Sequence, residues 1–359
     1  MISYFIRRLL LVPVTFTIIT FLIYTIIRLA PAGPIEQATL QMRQAMNEGG
    51  AGGGLGAGEE LALPQEAIDQ LKRYYKLDKA VPVGYLIWLG ALPDDGNEGR
   101  FSGILQGDFG KSYRYSDPVL ATIVSKFPIS IYFGLIGYLL TWLVCIPLGV
   151  KKALAHRSLF DTTSSVVVFL GYSVPGFVAA LGLMLMFATD FGVKLFPLGD
   201  FRSENWDEMW AKGETWWCIT DQLSHTLIPL TAYVLAGFAT MTILMKNSLL
   251  DNLGADYVRT AFAKGLSEKR VIFLHALRNS LIPICVGIGH AIGLLFAGSF
   301  LIEKTCNIPG MGLLGFNSLV ERDYPVLMGI LTFGVLVRLV GNILSDIVLA
   351  VVDPRVRFG

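Results

Sequence analysis

The sequence has little charge and a large excess of hydrophobic residues. Only 16% of its 359 residues are charged, 53% are hydrophobic and the formal net charge is +1. The mean hydropathy is +0.57. This composition excludes an ordinary soluble protein, and the lack of a basic excess argues against nucleic acid as a partner. The composition therefore predicts a polytopic membrane protein.

Cysteine and histidine are also scarce, which limits metal and redox chemistry. The four cysteines form no CxxC pair, and the four histidines form no HxxxH or histidine–carboxylate grouping. We therefore predict no metal site, and no nucleophile–base constellation is visible. Cys145 and Cys285 fall within apolar runs. Cys218 and Cys306 fall in loops expected on the outer side of the membrane, where pairing is an open question.

A nucleotide-binding motif is missing as well. Residues 107–112, GDFGKS, imitate a phosphate-binding loop, but a Walker A motif needs glycine at position 105, which is leucine here. No strand pattern precedes the segment. Any ATP-driven step therefore needs another chain, and no cofactor is expected in this one.

What the sequence does contain is six long apolar runs. They lie at residues 9–29, 129–150, 162–189, 223–245, 281–302 and 326–351. Each is close to the ~20 residues that a helix needs to cross a bilayer. The first run is longer than the apolar part of a typical signal peptide and lacks a small-x-small cleavage pattern, so we interpret it as a span.

A long polar region separates the first two runs. Its residues 49–58, GGAGGGLGAG, contain seven glycines and predict a flexible insert. After Pro64, residues 64–77 have apolar positions at helical spacing. We expect a small outer region without a core of its own.

Basic residues are distributed unequally between the loops, which predicts the orientation of the chain. Thirteen lie in segments expected in the cytoplasm: Arg7, Arg8, Lys151, Lys152, Arg157, Lys246, Arg259, Lys264, Lys269, Arg270, Arg278, Arg355 and Arg357. Five lie in the two short loops expected outside, residues 190–222 and 303–325: Lys194, Arg202, Lys212, Lys304 and Arg322. Because basic loops stay on the cytoplasmic side, both termini are expected there.

The most informative stretch is residues 256–283, DYVRTAFAKGLSEKRVIFLHALRNSLIP, between the fourth and fifth runs. Its first apolar positions have helical spacing: Tyr257, Val258, Ala261, Phe262 and Leu266. Gly265 tolerates the positive φ that ends helices, and Ser267 with Glu268 predicts the cap and first turn of a second helix. The pattern predicts helix, turn, helix.

These residues resemble the coupling loop of binding-protein-dependent ABC importer permeases, in the form found in the oligopeptide and dipeptide branch. The matching residues are Asp256, Tyr257, Arg259, Thr260, Ala261, Ala263, Lys264, Gly265, Leu266 and Ser267, with Pro283 eighteen residues after Gly265. The family's leading glutamate is absent. The resemblance implies that this loop docks on an ATPase, with small Ala261 and Gly265 at the contact. An ordinary basic loop would explain the charges but not the glycine or its spacing.

Other segments carry the same resemblance. Residues 107–119 resemble an element that precedes the second span of oligopeptide permeases, and residues 196–199 and 246–248 resemble the Yej-type (microcin C and oligopeptide) permeases. The family's C-terminal motif is matched by Glu303, Pro309, Gly310, Gly312, Arg322, Asp323, Tyr324, Pro325, Asp346, Asp353, Pro354 and Arg355. Cys306 departs from the Phe or Trp that the family usually has.

The resemblance implies an all-α membrane protein with six transmembrane helices, the type I ABC importer permease fold, and a long extracytoplasmic loop after the first helix. Residues 1–30 would hold the cytoplasmic N-terminus and first helix, 31–127 the outer region, and 128–359 the five-helix core with its coupling loop at 248–280. The chain would be a multi-pass, non-catalytic subunit in a bacterial inner membrane, forming half of a path for oligopeptides or peptide-like solutes.

The implied partners are a paralogous permease, two cytoplasmic ATPase subunits or one fused ATPase that use ATP, and an extracytoplasmic solute-binding protein. Nickel or a peptide antibiotic is the nearest alternative solute, because such permeases share these motifs. A secondary transporter should show inverted repeats and broken spans with ion-binding carboxylates. A membrane-embedded enzyme should show a polar catalytic cluster. The sequence favours neither.

Two features of the spans concern helix packing. A small-residue stripe in the fifth run predicts close approach of another helix: Gly289, Gly293 and Ala297. A kink is predicted in the third run by Gly171, Pro175 and Gly176. We favour close helix packing as the role of these small residues. The alternative is that the kink lies beside a translocation path.

Two further features concern exposed and charged side chains. Trp206, Trp210, Trp216 and Trp217 predict either an interfacial belt or contact with a docked partner. Arg338 lies well inside the sixth run, where a charge is a functional candidate. We favour the simpler interpretation for Arg338, an ion pair or snorkelling toward Asp346.

Overall fold

The computed structural model describes residues 2–29, 76–94, 99–114 and 117–352. The α-helices, in chain order, are α1 (Ile2–Leu29), α2 (Val81–Leu89), α3 (Val119–Leu154), α4 (Leu159–Ser173), α5 (Gly176–Phe187), α6 (Trp206–Ala211), α7 (Thr215–Leu253), α8 (Asp256–Ala263), α9 (Glu268–Arg270), α10 (Leu277–Ser280), α11 (Ile282–Val286), α12 (Ile288–Ala297), α13 (Phe300–Thr305), α14 (Met311–Val320) and α15 (Tyr324–Val352). A π-helical segment, Val271–Ala276, joins α9 to α10. The described residues form no strand, so the all-α prediction is confirmed for them.

Several predicted features lie outside the described residues. These are the glycine-rich insert at 49–58, most of the helical pattern at 64–77, and the motif residues Asp353, Pro354 and Arg355.

Four of the six predicted spans coincide with helices that are long and apolar enough to cross a membrane. They are residues Ile6–Leu29 of α1, and the helices α3, α7 and α15. Such helices satisfy every backbone hydrogen bond internally, which is what a hydrocarbon environment requires.

The third apolar run is bent, as the sequence predicts. Helices α4 and α5 meet at an angle of 94° and together count as one broken span or a re-entrant loop. Val174 is extended, with φ −98° and ψ 116°, and Pro175 follows it. A residue before proline avoids the α conformation, and proline has no N–H to continue the helix. The predicted kink is therefore confirmed at Pro175.

The fifth apolar run is not one helix, contrary to the prediction. It is divided into α11, α12 and α13, none of which has the length of a span by itself. Gly287 separates the first two pieces, and Gly298, with φ +65°, lies between the second and third together with extended Ser299. The apolar composition gave no sign of these breaks. The described residues thus contain four long spans and one bent pair.

The small-residue stripe of the fifth run packs closely at Gly289. A Cβ atom at Gly289 would stand 2.1 Å from the carbonyl oxygen of Gly341 in α15. The hydroxyl of Ser345 in α15 also donates to the carbonyl of Val286. Only backbone-to-backbone contact between α12 and α15 explains such an approach.

The chain divides into two compact units. The first comprises residues 1–10, 124–316 and 336–359. It has one core cluster that includes Phe133, Ala180, Ile228 and Ile302. A second cluster joins α3, α7, α8 and the π-helical segment, through Val150, Met245, Leu249, Val258, Ala261 and Val271.

The second unit comprises residues 11–123 and 317–335. Its core is aromatic, with Tyr24, Tyr85 and Leu89 buried together with Met328. The Thr20 and Tyr85 hydroxyls are 2.8 Å apart and hydrogen-bonded, which fixes α2 against α1.

All four cysteines are free thiols, so Cys218 and Cys306 do not pair. Cys306 is buried, 3.7 Å from the sulfur of Met184, and burial raises the pKa of its thiol to about 12. At its place in the family motif, Cys306 behaves as a small apolar residue.

Candidate functional site

The predicted coupling segment begins directly after the long helix α7. Gly254 caps α7, and α8 starts at Asp256, whose carboxylate in the first turn suits the positive end of the helix dipole. α8 ends at Ala263, and Gly265 then has φ +76°, a conformation that costs glycine little. The helix, turn and second helix are confirmed. Ser267 occupies the N-cap position of α9 and Glu268 its first turn, as predicted, but the Ser267 side chain makes no capping hydrogen bond.

The two faces of α8 differ in burial. Val258 and Ala261 are buried, whereas Tyr257 and Leu266 are half-buried. The exposed residues of the segment are Asp256, Arg259, Thr260, Phe262, Ala263, Lys264, Gly265 and Ser267, so Phe262 does not join the buried apolar stripe that its spacing predicted. Ala261 thus packs in the chain's own core, contrary to the expectation that it touches a partner. At Gly265 a Cβ atom would meet nothing within 4 Å, so this position is open.

Hydrogen bonds fix the segment to α7. Tyr257 donates its hydroxyl proton to the side-chain oxygen of Asn252 at 2.6 Å. At the far end of the segment, the Ser248 hydroxyl donates to the Ser280 carbonyl at 2.9 Å, and the Ser280 hydroxyl donates back to the Ser248 carbonyl at 3.2 Å. The segment therefore moves with α7.

A buried group of charges joins α7 to two other helices. Lys246 of α7 donates to both carboxylate oxygens of Asp161 at 2.7 and 2.8 Å. Lys152, at the end of α3, lies 3.2 Å from the same carboxylate. Its ammonium group also donates to the Asp161 carbonyl at 2.9 Å and to the hydroxyls of Ser164 and Ser165 at 2.8 Å each. Every ammonium proton of Lys152 therefore has an acceptor.

Charge counting assigned Lys152 and Lys246 to cytoplasmic segments but gave no sign of their ion pairs. The Lys152 side chain is only 1% exposed and that of Lys246 only 16%. A local signal for Asp161 does exist in the sequence. Ser158 precedes it by three residues and its hydroxyl accepts the Asp161 N–H at 3.3 Å, a helix cap. The partner Lys246 lies 85 residues further along the chain and has no such signal.

Glu303 is the centre of a second buried network. Its side chain is 0% exposed and its carboxylate accepts the N–H groups of Ser299 at 3.2 Å and Leu313 at 3.0 Å. The hydroxyls of Ser130 and Tyr233 donate to it at 3.4 Å each. Burial raises the pKa of Glu303, while the Leu313 and Ser299 donors act in the opposite direction.

The PGxG part of the C-terminal motif has a steric reason. A Cβ atom at Gly310 would stand 2.5 Å from a carboxylate oxygen of Glu303 and 2.7 Å from the Ser130 hydroxyl. Only glycine allows the backbone this close to the carboxylate. The motif residues Glu303, Pro309, Gly310 and Gly312 thus form one structure, which a motif match alone does not reveal.

Asp323 of the same motif has different partners. It is 2% exposed, and it accepts the hydroxyl of Ser112 and, at 3.2 Å, the N–H of Tyr113. Arg114 pairs with Glu321 beside it. Residues 107–119 and 322–325, which the resemblance identified separately, are therefore contact partners. Arg322, with φ +55°, and Tyr324 and Pro325 form the turn into α15.

Asp346 binds the N-terminal helix instead of Arg338. It pairs with Arg8 and accepts the Tyr4 hydroxyl at 3.3 Å. The ion pair or snorkelling expected between Arg338 and Asp346 is therefore wrong, and the Arg338 side chain is exposed.

One polar group that the sequence did not reveal lies beside α6. The Ser203 hydroxyl donates to Asp221 and lies 3.2 Å from Nε2 of His225, whose Nδ1 donates to the Gly199 carbonyl at 2.8 Å. In a hydrolytic triad the carboxylate accepts the Nδ1 proton of the histidine, whereas the Asp221 carboxylate accepts the serine hydroxyl. The group therefore fixes residues 199–203 to α7. Asp221 and His225, four residues apart on one helix, were the available signal.

The predicted tryptophan cluster is partly ordered by stacking. Trp206 and Trp210 lie parallel with ring centroids 5.2 Å apart, and the Arg202 guanidinium stands 4.4 Å from the Trp206 centroid. Trp216 remains 77% exposed.

Comparison with known proteins places the chain in a class. Residues 145–358 match the family described as the inner membrane component of binding-protein-dependent transport systems. This is more than half of the chain, so the protein belongs to that family of ABC transporter permeases.

Individual relatives agree with this assignment. The chain is 37% identical to an inner membrane ABC transporter permease protein, YejB, of Escherichia coli O157:H7, over 99% of both chains. It is 34% identical to the peptidoglycan transport system permease protein YejB of Agrobacterium fabrum, over 99% of this chain and 98% of the relative. It is 31% identical to the oligopeptide transport system permease protein AppB of Bacillus subtilis, over 100% of both. The resemblance to peptide permeases, including the Yej type, is confirmed.

The Glu303 network yields a stability prediction. Glu303→Ala removes the acceptor of the buried Leu313 N–H, which costs about 1–3 kcal/mol when left unsatisfied, whereas the Ser299 N–H keeps the Tyr233 hydroxyl oxygen at 2.8 Å. We expect a lower Tm for the purified chain in detergent. Glu303→Gln keeps one carbonyl acceptor, so its Tm should lie between those of Glu303→Ala and the wild type. Glu204→Ala, at an exposed position, should have the Tm of the wild type. An unchanged Tm in Glu303→Ala would contradict the network.

Proposed function

We propose that the chain forms half of the solute path of an ABC importer and that α8 with the turn at 264–267 couples it to separate ATPases. One observation carries the proposal. The segment has a buried face fixed to α7 and an exposed face of charged and small residues together with Phe262, ending at the open Gly265. A surface with these two faces can receive force from a docked protein and transmit it to a long helix.

The proposed solute is an oligopeptide or a peptide-like molecule. Support comes from the relatives, which are named for oligopeptide and peptidoglycan transport. Nickel and peptide antibiotics are the alternatives within the same family.

The proposed assembly contains the paralogous permease, a solute-binding protein outside, and either two ATPase subunits or one fused ATPase. The chain would comprise six spans in a type I importer fold, five of them in the permease core, with the divided fifth run counted as one span. Residues 1–30 and 31–127 would precede a core at 128–359. The chain itself would hold no cofactor and catalyse no reaction, since ATP would be used by its partners.

We further propose a bacterial inner-membrane location with both termini in the cytoplasm. The asymmetry of the basic residues supports this orientation, although the buried Lys152 and Lys246 contribute to it less than counting assumed.

Reporter insertions test this orientation. A reporter fused after Gly359 should be active only in the cytoplasm, and one inserted after Gly54 only outside. Because long loops translocate with little regard to charge, the Gly359 fusion is the stricter test of the charge rule. An outside signal at Gly359 would reverse the proposed orientation.

Gly265→Asp tests the coupling role. The substitution adds roughly 1 kcal/mol of backbone strain at a positive φ and a charge at the proposed contact, while its Cβ atom meets nothing within 4 Å in this chain. We expect normal insertion and pairing with the paralogous permease, but loss of ATPase co-purification and of peptide uptake. Ala261→Asp would be a poor test, because Ala261 lies in the core.

Gly213→Asp is the matched control. Gly213 also has a positive φ, +80°, and a Cβ there also meets nothing within 4 Å, but it lies in the loop expected outside. It should leave ATPase co-purification unchanged. Wild-type co-purification and uptake in Gly265→Asp would reject the coupling role.

A further inference from the structure

Arg338 is placed where a charge is most costly in a membrane protein. It is the middle residue of the 29-residue helix α15, with fourteen residues on each side. Either end of the helix is therefore ~21 Å away at 1.5 Å per residue. Half of a bilayer's hydrocarbon core is only ~15 Å thick, so Arg338 stands near its centre when α15 spans it.

No acidic group of the described chain compensates this charge. Asp346, the only acid of α15, is occupied by Arg8 and Tyr4. Helix α12, which packs on α15 at Gly289 and Gly341, contains no acid. Within the described ranges, Arg338 takes part in no hydrogen bond or ion pair.

The contact beside Arg338 leaves its side chain uncovered. The nearest atom to a Cβ built on Gly293 of α12 would be the Arg338 Cα, at 3.9 Å. Because glycine has no side chain, this helix contact does not shield the guanidinium. Arg338 is accordingly exposed although it belongs to a span.

We propose that Arg338 lines the solute path and binds the carboxylate of a passing peptide. An unpaired arginine is expensive in lipid but not in a water-filled path. Its planar guanidinium binds a carboxylate with two parallel hydrogen bonds, and every unmodified peptide has a terminal carboxylate. The proposal rests on the proposed peptide function and specifies which chemical group of the solute is recognised.

The test compares one peptide as the free acid and as the C-terminal amide, in proteoliposomes that contain the complete transporter. Arg338→Gln should reduce uptake of the acid roughly tenfold or more, the usual effect of losing a hydrogen bond to a charged group, and leave uptake of the amide unchanged. Arg338→Lys should restore part of the acid uptake. Because the same binding protein serves every variant, its own preference cancels in the comparison.

Val340→Gln, at an exposed position of the same helix, controls for adding an amide to α15. Equal loss of acid and amide uptake in Arg338→Gln would overturn the proposal and would instead indicate a fixed ion pair with the second permease. Unchanged uptake of both would overturn it too. Failure of the wild type to transport either peptide would reject the proposed peptide function itself.

Discussion

The buried charges of Asp161, Lys152 and Lys246 are the constraint on which the first unit depends. One carboxylate lies within ion-pair distance of two ammonium groups, and the three protons of Lys152 are taken up by a carbonyl and two serine hydroxyls. Removing one partner from a buried ion pair typically costs about 3–5 kcal/mol, because the other charge is left uncompensated. The ends of α3, α4 and α7 therefore cannot separate cheaply.

The same charged group lies on α7 next to the residues that pack against the proposed coupling segment. Lys246 follows Met245 and precedes Leu249 on α7, and both apolar residues pack under α8 with Val258 and Ala261. In the proposed coupling, a displacement of α8 would pass to α7 through these apolar contacts and to α4 through Asp161. Helix α4 continues into α5 across the 94° bend, so this series of contacts extends from α8 to the break in the third span.

Local features were predictable from the sequence, and pairings between distant residues were not. The φ of Gly265, the helix of residues 256–263 and the bend at Pro175 follow from backbone chemistry within a few residues. The contacts of Ser112 with Asp323 and of Lys246 with Asp161 join residues far apart in the chain, and no spacing rule gives them. Apolar composition also failed at the fifth run, because Gly298 and Ser299 interrupt a helix without making the run less hydrophobic.

The central claim is that Asp161 and Lys246 transmit motion from the coupling segment to the path. Lys246→Met tests it most directly, because methionine keeps much of the side-chain volume and Asp161 still pairs with Lys152, so no charge is left unpaired. The measurement is solute transported per ATP hydrolysed by the reconstituted transporter, with Lys194→Met, at an exposed position outside the coupling segment, as the control. We predict that this ratio falls severalfold in Lys246→Met while the ATPase subunits remain bound. A ratio equal to that of the wild type would contradict the account.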